Sequence, residues 1–590
     1  MDNPVETYTY RNGKRVELRR LDDTFNVSAP AQVVSGHNFR EVTPFSAAMS
    51  QVRVLPDDLA QEMSRARSIA PSHHVYEFAS SHQQFIPTQR IFITFHESVR
   101  TQQIDELLAR YELLREEQIS PQTWVVRAPD GVESDMTTLV RNLVEDEELV
   151  ADAENVLMHR AARAGLQLPV DPRYIDQWHL HRHSQHPAFD VRASTNCEKA
   201  WELLQGFGSE DVVIGITDDG CQLNHVDFGD PSKFAGWAYF SSDKSFITSD
   251  NIDADPNQMY ALGFNHGTAC AGVAAAAVNS ESTVGAAPGC RLLPVRFQAS
   301  AWNFDFDDLD LYYVLQYISD KVDVLSNSWG LVPVMPFATI VQEKIRELAI
   351  SGGRRGKGIV FLWAAGNENC PIHLDSSVPI PYTGGWDGRW ELDEHLQWQF
   401  QRYEWIGVQY ASRFINELVN IPGVMHVAAL GSTAQRSHYS NYGPGIMICA
   451  PSHNDHMYAR GKAVGLPIMT ISGDNHTTLE YQFGGTSSAT PLVAGIAALV
   501  ISANPNLKAL EVISILKQTA SKDLNFTGYP RTAPEDYDPN PTWDVSPVAP
   551  FNQGDFQDID SPDGTWSPWF GHGRVDAAAA VKMALGLLPE

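Results

Sequence analysis

Between Val212 and Leu430 short apolar blocks return along the chain: VVIGIT, RLLPVRF, VDVLSNS, IVFLWAA and VMHVAAL. Each is too short for a helix, rich in branched residues and almost free of polar positions, which predicts strands buried on both faces. The segments DLDLYYVLQYIS and TIVQEKIRELAI lie between them. They repeat apolar residues three and four apart, as a helix with one buried stripe does. Strands and helices alternating in this order predict an α/β domain, a doubly wound and mostly parallel sheet with helices on both faces. Chemistry in such sheets gathers at the C-terminal ends of the strands.

The pattern upstream is different. RIFITF and TWVVRA read as strands, TQQIDELLARYELL and MTTLVRNLVEDEELV as helices, and together they predict a small α+β domain over residues 81–165. Residues 1–80 form an N-terminal extension with no assigned role. The proline-bearing segment 166–190 reads as a solvated linker, and its histidines, His179, His181, His183 and His186, fit no metal-ligand spacing. The α/β domain then covers 191–590, with an insertion at about 371–415 that is rich in aromatic and charged residues.

Composition narrows the range of partners. Acids outnumber bases by 72 to 43, a net charge of −29 that disfavours nucleic acid and anionic membrane. No uncharged run of membrane-crossing length stands out. The opening MDNPVETYTYRNGKRVELRR lacks the apolar core of a secretory signal, so a cytoplasmic location is expected. Cys197, Cys221, Cys270, Cys290, Cys370 and Cys449 show no CxxC spacing and mostly lie in apolar runs, which predicts buried free thiols.

Polar residues then stand out at the strand ends. Asp218 and Asp219 precede Gly220 in VVIGITDDG, His266 opens the alanine-rich FNHGTACAGVAAAA, and Asn367 follows IVFLWAA in GNEN. Ser487 lies at the start of a small-residue helix in FGGTSSATPLVAGIAALV. Each alone has a structural reading, as a turn former, a helix-start residue or a cap. Together they supply an orienting acid, a base, an oxyanion donor and a nucleophile.

The stretches ITDDGCQLNHVDF, NHGTACAG, SNSWG, AAGNEN, SNYGP with ICAP, and GGTSSATPLVAGIAALV resemble the subtilisin-like serine proteases, with the Asp, His, Ser chain order of that family. The DDG and histidine motifs resemble its kexin and furin branch. The likeness runs from about Trp178 to the closing FGHGRVDAAAAV. It implies a polypeptide substrate, Asp218 as orienting acid, His266 as base and Ser487 as nucleophile, with Ser488 as the rival serine. Asn367 and the Ser487 N–H would hold the oxyanion. Asp219 would face the substrate rather than His266, and Ser328, Trp329 and Gly330 would pair with the extended substrate backbone.

The same resemblance implies a structural calcium ion at Asp227 and Asn279, no organic cofactor, and a propeptide-like role for residues 81–165 as folding chaperone and temporary inhibitor lying in the cleft. It also has departures. Kexin-like enzymes carry an acid just after SWG, where this chain has the apolar LVPVMP, so a preference for basic substrates would rest on Asp219, Glu368 and net charge. The β-rich domain of those enzymes is not expected after VDAAAAVKMALG. Cys270 lies one helical turn beyond His266 on the same face, so thiol reagents are expected to inhibit. Peptide hydrolysis, acyl transfer to an amine and a binding role on a retained fold all stay open, and the joint presence of Asp218, His266, Asn367 and Ser487 favours the first.

Overall fold

The computed structural model describes residues 6–587 except 38, 47–48, 79–83, 130–134, 159–165, 300–303, 331–335, 385, 393–397, 456–462 and 527–544. The chain divides into two compact units, Met1–Ala164 and Gly165–Glu590.

The larger unit is built on an eight-stranded sheet. Its spatial order is Phe246–Thr248, Ala238–Phe240, Arg291–Arg296, Val213–Asp218, Val324–Asn327, Val360–Ala364, Val424–Leu430 and Ile446–Pro451. All pairings are parallel except the first. Alternate residues feed opposite layers: Val324, Val360 and Leu362 face one core, and Leu325, Phe361 and Trp363 the other. The second core also takes Leu311, Val314, Ile345 and Leu348 from the helices Asp308–Ile318 and Thr339–Ser351. Both faces are therefore dry, which is why these strands read as unbroken apolar runs.

Two helices cover the other face, His266–Ala275 and Gly485–Ala503. Their small residues let them pass close to one another. A Cβ built on Gly495 would lie 2.6 Å from Ala274 O, so that crossing tolerates only glycine. The longer helix is the one run, among the described residues, that is apolar and long enough to cross a membrane, and 83% of its tested window is buried inside the protein. The expectation of no such run is corrected: alanine and glycine had masked a helix whose partners surround it. The strand order reverses around Val213–Asp218, since the chain next builds the sheet on one side of that strand and then on the other. A reversal of this kind opens a crevice at the strand's C-terminal end, where Asp218 lies.

Segment 166–190 is solvated only in part: Arg182, His183, Gln185, His186 and Pro187 are exposed as expected, but the stretch 177–181 is packed into the domain. The Trp178 indole donates to Pro467 O at 2.9 Å, the Gln177 amide bonds Val284, and His179 and His181 are buried. Burial drives the His179 imidazole down to about 3, so it stays neutral. Trp178 and Leu180 belong to the main core of the α/β domain, and the Trp178 indole finds its acceptor 289 residues away, so local polarity was a poor guide. All six cysteines are free and buried.

The smaller unit is one nine-stranded sheet. Strand Gln84–Phe95 pairs at its start with Ser72–Phe78, and along residues 91–94 it lies between Thr123–Arg127 on one side and Val150–Met158 on the other. The expected break between residues 80 and 81 is thus bridged by strand pairing. Two cores remain distinguishable, one around Phe25, Val52 and Met63, the other around Ile91, Leu107 and Val140 under the helices Thr101–Arg110 and Met136–Asp146.

Candidate active site

Strand Val213–Asp218 ends on a fully buried carboxylate. Asp218 Oδ1 accepts from His266 Nδ1 at 2.8 Å and from the Asp219 N–H at 2.8 Å. The close approach needs Gly267, where a Cβ would fall 2.2 Å from Gly220 O and 2.7 Å from Asp218 Cβ. With Nδ1–H donated to the carboxylate, Nε2 keeps its lone pair and is free to take a proton. Burial alone would depress this imidazole, but the Asp218 charge, then the neighbouring Cys270, outweigh it and raise His266 well above its ordinary range. The ring also packs edge-on against Phe483, with centroids 5.6 Å apart.

Ser487 is the third residue of the helix Gly485–Ala503. Its hydroxyl donates to Ser328 O at 3.2 Å. Cys270 Sγ lies 3.9 Å from His266 Nδ1 and 3.6 Å from Ser487 O, so one thiol touches both the serine and the histidine segments. Ser488, the rival, is fully buried and donates to Ser452 Oγ at 2.9 Å and to Gly485 O at 3.2 Å. It holds the helix start together.

Asn367 follows strand Val360–Ala364. Its Oδ1 accepts from the Thr486 N–H at 2.8 Å and from Thr486 Oγ1 at 3.0 Å, which fixes the amide orientation and leaves Nδ2 as a spare donor. Behind it, Glu368 Oε2 accepts from the Asn367 N–H at 2.8 Å and from Asn441 Nδ2 at 2.7 Å. Asn441 is itself saturated, because Oδ1 also accepts from the Glu368 and Cys370 N–H groups and Nδ2 also donates to Ala365 O. The Ser487 N–H, like Asn367 Nδ2, has no protein acceptor among the described residues. Two donors are therefore left open, one on the amide that Thr486 orients and one on the residue that follows Thr486.

Several expected site residues have other work. Asp219 does not face outward: it is buried, and its oxygens accept from the His266 and Gly267 N–H groups at 3.2 and 2.7 Å. Glu368 has an oxygen turned onto the Asn367 turn, and burial raises its carboxyl. Ser328 and Trp329 are buried, with Ser328 Oγ donating to Ser487 O at 3.0 Å and the Trp329 indole donating to Thr217 Oγ1 at 2.9 Å. Gly330 is exposed, with nothing within 4 Å of a Cβ position. The apolar stretch 331–335 and parts of the insertion, 385 and 393–397, lie outside the described residues.

The residues expected to hold calcium meet a partner the sequence had left in the linker. Asp227 is fully buried; Oδ2 accepts from the Thr283 N–H at 2.9 Å and Oγ1 at 2.7 Å, while Oδ1 has no partner. Asp171 Oδ1 accepts from the N–H groups of Asn279 and Ser280, and its buried Oδ2 is likewise unpartnered. Asn279 differs from expectation, since its amide already bonds Val226 O and the Glu281 N–H. Two orphaned carboxylate oxygens flanking one loop suit a hard cation that takes oxygen ligands, so the residues fit calcium.

Residues 209–551 match the subtilase family, Peptidase S8, and the chain belongs to that family. It is 27% identical over 534 residues to a calcium-dependent protease of Nostoc sp., an alignment covering 86% of this chain and 65% of that one. It is 27% identical over 378 residues to mouse furin, covering 62% of this chain and 38% of furin. The chain thus spans a little under two thirds of the length of the first relative. A serine protease of Aeromonas sobria of known structure aligns at 18% identity with a TM-score of 0.49, covering 73% of this chain and 70% of that one.

Proposed function

We propose that this chain is a serine endopeptidase that cleaves peptide bonds through an acyl-enzyme on Ser487. The observation that carries the reading is the pair of open donors, Asn367 Nδ2 and the Ser487 N–H, beside a histidine whose tautomer Asp218 fixes. Ser487 Oγ turns from Ser328 O toward His266 and attacks the scissile carbonyl while Nε2 takes its proton. The carbonyl oxygen becomes an oxyanion and receives both open donors. Collapse breaks the C–N bond, and the amine leaves with the proton from His266. A water molecule then repeats the sequence on the ester, restoring Ser487.

Since the imidazolium is favoured here, the free base is lost as pH falls through the raised His266 value, and activity belongs on the alkaline side. Asp171 and Asp227 would hold a calcium ion, which would supply positive charge to their two unpartnered carboxylate oxygens. The unit Met1–Ala164 acts as an intramolecular regulator of this enzyme, and a cytoplasmic setting suits its free thiols.

A fluorophosphonate probe followed by peptide mass spectrometry tests the reading, with and without calcium. Label on Ser487, absent in Ser487→Ala, supports it, and intact mass reports any loss of the N-terminal unit. Absence of label under every condition overturns it. Product masses separate hydrolysis from acyl transfer, and a thermal midpoint unchanged by a chelator would remove the calcium assignment.

A further inference from the structure

Asp219 follows the acid that orients the base, and the reaction above gives it nothing to do. Its geometry does. Oδ2 accepts from the His266 N–H and Oδ1 from the Gly267 N–H, the first two amides of the helix His266–Ala275. That helix has no cap of its own: Asn265 makes no capping bond, and its amide donates to Asp474 at 2.7 Å. The first amides of a helix carry the positive end of its dipole, so a carboxylate placed there binds them strongly. The helix that presents the base is therefore anchored from a different element, by the residue next to the acid.

The charged and titratable groups around Asp219 are few. Asp218 lies on its own strand, His266 on the helix, Arg296 at the end of the adjacent strand, and Cys221 and Tyr260 in the loops beyond. Burial, and then Asp218, push the Asp219 carboxyl up to about 7, against the pull of His266 and the two N–H bonds.

We propose that Asp219 is a positioning residue for His266, holding the backbone of the base and setting, through its charge, the pH range in which the imidazole is free to accept a proton. The proposal rests on the triad reading above. A carboxylate near an imidazole favours the imidazolium. Removing that charge lets His266 lose its proton at lower pH. A substrate-binding acid, the role implied by resemblance, would instead act through the affinity for basic peptides.

The test uses the full chain and the rate of fluorophosphonate inactivation as a function of pH, for the parent, Asp219→Asn and Asp219→Ser, alongside KM for a lysine- or arginine-containing peptide. Both variants keep a neutral acceptor for the helix start, so at least one retains the fold. The acid limb is expected to move down by on the order of one pH unit in each, with a lower plateau where the weaker cap costs rate. A parent that reacts, paired with variants whose acid limb stays in place, overturns the proposal; a raised KM for the basic peptide with an unmoved limb returns Asp219 to the substrate. No reaction in the parent refutes the triad reading, a different failure.

Discussion

Two helices begin at this site, and different partners hold their starts. His266–Ala275 has its first two amides held by the Asp219 carboxylate, whereas Gly485–Ala503 has its first two held by neutral side chains, His453 Nδ1 at 3.4 Å and Asn367 Oδ1 at 2.8 Å, and leaves the Ser487 N–H open. An open donor at a largely buried helix start is costly, because an unmet donor forgoes about 1 to 3 kcal/mol. The difference teaches what each end is for. On the proposed mechanism the first holds a base in one orientation, so its first two donors meet a fixed carboxylate; the second receives a charge that exists only during reaction, so a donor waits.

Alkylating Cys270 breaks the filled end. The thiol lies beside His266 Nδ1, is fully buried, and burial pushes it up to about 11. The thiolate is the reactive form, so labelling accelerates about ten-fold per pH unit up to that value. Activity is expected to vanish in proportion to label, measured by peptide mass and hydrolysis on the same sample; full activity after quantitative labelling removes the idea.

Asn367→Ala takes away one waiting donor at the open end. A loss of about 100- to 1000-fold in kcat, with KM little changed, is expected, because the donor meets only the oxyanion. A change confined to KM would mean that Asn367 binds ground-state substrate instead. Thr486→Val sharpens the same point. It deletes one of the two bonds that orient the Asn367 amide, and the bond that Thr486 Oγ1 accepts from the Gly366 N–H at 3.1 Å, while leaving the Thr486 N–H in place. One such bond amounts to about 1.4 kcal/mol, so a roughly ten-fold fall in kcat is expected, and the part that acts through the amide should disappear when Asn367 is already alanine. Independent losses in the double variant would show that Thr486 acts by another route.

The two ends were not equally legible in the sequence. Ser487, His266, Asp218 and Asn367 lie in short motifs at strand and helix ends, and the parallel sheet that gathers them was readable from its apolar blocks. Asp219 was misread because its partners are backbone amides 47 and 48 residues away, and a main-chain donor leaves no mark in a sequence. Asp171 was passed over for a similar reason: the segment around it looked polar, and its contacts with Asn279 and Ser280 are visible only once the loop has folded back. In the smaller unit the strands Ser72–Phe78 and Gln84–Phe95 are joined by the pairing of Tyr76 with Phe85 and Glu77 with Gln84, which no local periodicity announces.

The smallest expected effect separates two neighbours on one helix. Ser488 is wholly buried and bonded to Ser452, whereas Ser487, though buried, keeps 9% of its surface exposed. Ser488→Ala removes a hydroxyl donor and leaves Ser452 with its bond to Gly485 O at 2.7 Å, so no group is stranded. A cost of about 1 kcal/mol is therefore expected, read as a fall of roughly 2 to 4 °C in Tm if this large unit unfolds as one. Activity should stay within a factor of about three, since one bond's loss at a helix start shifts the neighbouring serine only slightly. If Ser488→Ala abolished probe labelling while Ser487→Ala did not, the open helix end would belong to the wrong serine, and the contrast between the two helices would have to be redrawn around Ser452.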